Sequence, residues 1–64
     1  MSIKDIVCLI TDVKLNIEII EQKSGASFGF YDKRYVPTEL LTKEVKGINV
    51  QYVNGKRLLV IKFK

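Results

Sequence analysis

Histidine and tryptophan are absent from this sequence, cysteine, methionine and proline occur once each, and no apolar run is long. Each absence excludes something. Without histidine there is no Ser–His or Cys–His nucleophile, and the commonest general base is missing. A zinc site of the Cys/His kind is excluded as well. With Cys8 alone, no intramolecular disulfide can staple the fold. The apolar runs fall far short of the ~20 residues that span a bilayer, so no membrane segment is expected. Met1-Ser2-Ile3-Lys4-Asp5 lacks a basic leader and carries an acid at once. No export signal is therefore expected, and with the lone thiol this points to the cytoplasm.

What remains is one domain, 1–64, of ordinary globular composition. The chain is 47% apolar and 28% charged, which argues against disorder. A chain this short buries only about 60% of its unfolded surface. Its core is worth roughly 3–5 kcal/mol net, and unstapled domains of this size often gain stability from a homo-oligomer or a bound partner. The net charge of +4 permits an acidic partner or nucleic acid without requiring either. Most basic residues alternate singly with apolar ones, as on a solvated sheet face.

The periodicity predicts an α+β fold ordered α-β-β-α-β-β. It is a small antiparallel sheet of two hairpins, with an N-terminal helix on one face and a short second helix between the hairpins. Ser2 and Asp5 read as a capping box, and Ile3, Ile6, Val7, Ile10 and Val13 follow as one helical stripe of about three turns. From Val13 the period becomes two: Val13, Leu15, Ile17 and Ile19 point one way. Lys23-Ser24-Gly25 supplies a turn, and Ala26 to Tyr31 alternates again as the returning strand. Asp32 to Tyr35 loops out. Pro37 suits the first turn of a helix whose apolar side is Leu40, Leu41 and Val45, with Gly47 at its end. Asn54-Gly55 is a type I′ turn signal, which pairs Val53 with Lys56, Val50 with Leu59 and Ile48 with Ile61. Tyr52 falls opposite Arg57, a candidate cation–π pair. Val50, Leu59, Ile61, Phe28 and Ile17 are the expected core.

The opposite sheet face carries Ile20, Val53, Leu58 and Val60 among polar residues. Two readings stay open for these four. The second helix or a chain end covers them, or they form a surface for a protein partner or a second copy. Lys33, Arg34, Lys56 and Arg57 at two strand ends, with Tyr31 and Tyr35, are the candidate nucleic-acid contacts. No catalytic residue, metal ligand set or cofactor site is expected. Cys8 sits mid-helix with only Lys4 and Lys14 to activate it, and the carboxylates lack metal-ligand spacing.

Three resemblances bear on function. Phe28-Gly29-Phe30-Tyr31, followed by Asp32-Lys33-Arg34-Tyr35, resembles the aromatic strand of RNA-recognition motifs, where aromatics stack on bases. Here Ala26 and Ser27 replace the preceding basic residue and glycine, and the element order differs from βαββαβ. Phe28 and Phe30 are also what a small core needs, and core is the favoured reading. The opening helix followed by short strands is similar to an Sm-like barrel, though the helix signal at Pro37 departs from it. Ile3-Lys4-Asp5-Ile6, Leu15 to Ile20, Val36-Pro37-Thr38-Glu39-Leu40-Leu41 and the closing hairpin resemble short uncharacterised phage and prophage proteins of low-GC Gram-positive bacteria. That resemblance covers nearly the whole chain. It implies no catalytic residues and an accessory role in binding a host protein, including inhibition of defence enzymes. The expected function is thus a non-catalytic protein-binding module. A small basic nucleic-acid binder and an oligomer that sequesters a small ligand are the alternatives.

Overall fold

The chain starts with the helix its capping box encodes. Asp5 N–H donates to Ser2 Oγ (3.3 Å) as well as to the Ser2 carbonyl (3.0 Å), and Ser2 N–H donates to Asp5 Oδ2 (3.0 Å), which completes the box. The computed structural model describes residues 1–64, and α1 spans Ile3–Leu9. It is shorter than the apolar stripe predicted. Asp12 Oδ1 accepts from Lys14 N–H (3.0 Å), a local turn that competes with further helix. Ile10 is already extended at φ −75°, ψ 119°, and Val13 is left exposed.

Six more elements follow. They are β1 (Asn16–Glu21), β2 (Ser27–Phe30), a 3-10 turn (Lys33–Tyr35), α2 (Thr38–Leu41), β3 (Val45–Val53) and β4 (Lys56–Phe63). Both hairpins form. Ile17 stands opposite Phe30 and Ile19 opposite Phe28 in the first. In the second, Asn54 (φ 54°) and Gly55 (φ 77°) make the two-residue turn. Val50 faces Leu59 and Ile48 faces Ile61, the register that turn requires.

The sheet is mixed, which corrects the expected antiparallel one. Strand order is β2-β1-β4-β3, and β1 joins β4 in parallel, with Ile17 beside Leu59 and Ile19 beside Ile61. It follows that β2 and β3 run the same way. The cause lies in the connection between the hairpins. Parallel strands need a crossover of about a dozen residues or more, and the stretch from Tyr31 to Glu44 supplies it. That stretch returns the chain to the other end of the sheet before β3 begins.

The crossover packs on the same face as α1. Val36 is buried, and Leu40 and Leu41 are half-buried against Ile3, Ile6, Ile17, Ile19, Leu59, Ile61 and Phe63. Two local assignments change as a result. Val45 opens β3 instead of lining a helix, and Gly47 lies inside β3 beyond a bulge. Two expected core residues change as well. Phe28 (42% exposed) and Val50 (53%) point to the helix face but lie on the outer strands. The layer formed by α1 and the crossover packs on Ile17, Ile19, Leu59, Ile61 and Phe63 of the two inner strands. No helix is long and apolar enough to cross a membrane.

Candidate partner-binding surface

The face opposite the helices does not offer the apolar patch its pattern suggested. Val60 is buried at 2% exposure, between Glu18 of β1 and Asn49 of β3. Ile20 and Leu58 are half-buried, and only Val53, beside the Asn54-Gly55 turn, is exposed. α2 does not cover them, because Leu40 and Leu41 pack on the other side. In-plane neighbours do the shielding, so three of the four residues present little surface. A depression of about 400 Å³ over Gly29, edged by Asn16, Glu18, Tyr31 and Leu58, is open to solvent.

The basic residues at the strand ends all fall at one end of the sheet, where Asn16 pairs with Leu58 and Ile17 with Phe30. Most are engaged within the chain. Lys33 Nζ donates to the Ile10 carbonyl (2.6 Å), closing the open end of α1. Arg34 grips Asp32 with two donors, Nε to Oδ1 (3.2 Å) and Nη2 to Oδ2 (2.9 Å), and its N–H adds a third bond to Oδ1 (2.8 Å). Arg57 reaches Asp12 (3.6 Å), so no cation–π contact with Tyr52 forms although the two are opposite in register. Of the four predicted phosphate contacts, only Lys56 has no ion-pair or hydrogen-bond partner. Tyr31 and Tyr35 are exposed, but their rings meet edge to face at 6.5 Å, as a pair rather than as parallel stacking platforms.

This loop ties stability to pH. The Arg34 side chain holds the Asp32 carboxyl below the usual carboxylate range, and the Arg34 guanidinium is raised in turn. Asp5 is lowered too, first by the Ser2 backbone N–H. A carboxylate depressed by folding stabilises the fold above its unfolded pKa, near 4, and loses that contribution as pH falls through the folded value. The thermal midpoint is therefore expected to hold above about pH 5 and to fall below about pH 4. Asp32→Asn should lower the midpoint at neutral pH and flatten the acid limb. A midpoint unchanged down to about pH 2 would contradict this.

Val50, expected in the core, and its neighbours along β3 are the informative residues. Ile48 (49% exposed), Val50 (53%) and Tyr52 (74%) form an apolar row on β3, at the rim of the helix-bearing face. β3 is a nine-residue edge strand with β4 on one side only. In a two-residue hairpin the closing pair, Val53 and Lys56, is hydrogen-bonded, and bonded pairs alternate from there. Ile48, Val50 and Tyr52 thus turn their N–H and C=O groups away from β4. The beginning of this edge is already covered. Ser2 bridges Glu44, and Val45 N–H donates to the Met1 carbonyl (2.8 Å). The open stretch is Ile48 to Tyr52, bounded by Met1-Ser2 and by the Asn54-Gly55 turn. Natural edges are usually guarded by charge or proline, yet Gly47 to Val53 holds neither. That uncharged run was the available signal.

No family model, curated protein or solved structure matches this chain.

Proposed function

We propose that this protein is a non-catalytic binding protein that takes up a strand of a protein partner along the open edge of β3. The observation that carries this reading is the row of Ile48, Val50 and Tyr52, whose exposed apolar side chains and outward backbone groups coincide on one edge. Strand addition uses both: main-chain bonds give affinity and alternate side chains give selectivity. The absence of histidine and the position of Cys8, exposed in the last turn of α1 and away from the helix N-terminus, support a role without catalysis. The resemblance to phage and prophage proteins read from the sequence supports a bacterial host protein as the partner class, bound as an inhibitor or anti-defence factor.

Val50→Pro tests the reading. The Val50 N–H points away from β4, so proline removes no bond of the isolated domain and is tolerated on such an edge. The variant should stay folded by circular dichroism. Immobilised wild-type protein should retain a specific partner from a lysate of a low-GC Gram-positive bacterium, and the Val50→Pro protein should not. Equal retention by both would place the binding surface elsewhere.

A further inference from the structure

We infer that the strand seated on this edge is β3 of a second copy, paired antiparallel about a two-fold axis at Val50. This rests on the proposed strand addition: in the free protein a second copy holds the edge, and a host partner's strand takes its place. The argument is one of self-complementarity. A two-fold contact sets residue i against residue j and j against i. With the axis at Val50, Val50 faces its own counterpart and Ile48 faces Tyr52 of the second copy.

Every outward backbone group is then used. Ile48, Val50 and Tyr52 are the residues whose N–H and C=O leave β4, and paired this way they exchange about six main-chain hydrogen bonds. Moving the axis to Asn49 sets Tyr52 against the bulged Lys46. Moving it to Gln51 sets Ile48 against the turn residue Asn54. Only Val50 lies midway between the Met1-Ser2 segment, which closes one end of the edge, and the turn, which closes the other.

The side chains agree with that register. The apolar row continues across the junction on the helix face, Val50 on Val50 and Ile48 against Tyr52. On the opposite face Asn49 meets Gln51, amide against amide, and Val53 meets Gly47, where no side chain obstructs it. No charge faces a like charge anywhere between Gly47 and Val53. β2, the other edge, has only four residues and offers no comparable run. The result is an eight-stranded sheet with both helical layers on one face. A contact confined to one edge is small, so association is expected at roughly micromolar to millimolar concentration.

The axis position can be read directly with complementary charges. Sedimentation equilibrium of the wild-type protein should give twice the monomer mass as concentration rises. Val50→Lys and Val50→Glu each place like charges face to face on the axis, and each alone should remain monomeric while folded. An equimolar mixture of the two should regain the dimer mass. Amide exchange at Ile48, Val50 and Tyr52 should slow with concentration in the wild type, while Asn49 and Gln51, already bonded to β4, should not change. A wild-type protein monomeric at about 1 mM, or a mixture that fails to associate, overturns the inference. If the monomeric protein still retains a partner that Val50→Pro loses, the strand-addition reading stands and only the second copy is rejected as occupant. If it retains none, both fall.

Discussion

Replacing Ile61 with alanine is expected to unfold the protein at room temperature. Ile61 is fully buried at the centre of the sheet, with Ile19 beside it on β1 and Ile48 beside it on β3. Truncating a buried isoleucine costs about 2–5 kcal/mol, the lost transfer energy plus the cavity left behind. A core this small supplies roughly the same amount in total. The matched control is Val50→Ala, one strand away on the same face but half exposed. It should cost about 1 kcal/mol or less and leave the domain cooperatively folded. Urea unfolding followed by circular dichroism separates the two. Similar midpoints for both variants would mean that β3 is not the edge strand.

Val60→Asp is expected to be nearly as damaging, although Val60 lies on the face without helices. Its 2% exposure means that the side chain is shielded by its neighbours in the sheet. Substitution forfeits about 1.5–3 kcal/mol of burial. It also sets a new carboxylate beside half-buried Glu18, its partner across the parallel pair. A poorly solvated charge next to a like charge adds further cost. The amide proton spectrum should collapse to that of an unfolded chain. Val53→Asp, on the same face but 48% exposed, should leave it dispersed. A folded Val60→Asp variant would reopen this face as a binding surface.

These two substitutions mark where pattern and structure part. The period-two alternation correctly separates Ile17, Ile19, Leu59, Ile61 and Phe63 from their neighbours, and all five are buried. The same alternation assigned Phe28 and Val50 to the core, because it reports which face a residue takes and says nothing of how far it lies from the edge. Val60 was assigned to a solvated face for the same reason. The charged residues were legible only by type. Nothing near Lys33 in sequence indicates that it closes α1 through Ile10, and nothing near Arg57 indicates Asp12 as its partner.

What the sequence by itself determined is local. The Ser2–Asp5 box, the Asn54-Gly55 turn and the register of β3 on β4 each follow from contacts among residues near in the chain, so a short window holds all the information. The tertiary structure decided the rest: that β1 and β4 meet in parallel, that β3 therefore stands at an edge, and that Met1-Ser2 closes only the beginning of that edge. A hairpin has the same internal pattern whichever way it docks. The direction depends on where the Tyr31–Glu44 crossover delivers the chain after Val36, Leu40 and Leu41 have found the core beside α1. The exposed row of Ile48, Val50 and Tyr52 arises at that long-range step, because burial there depends on which strands α1 and the crossover pack over and not on the residues of β3.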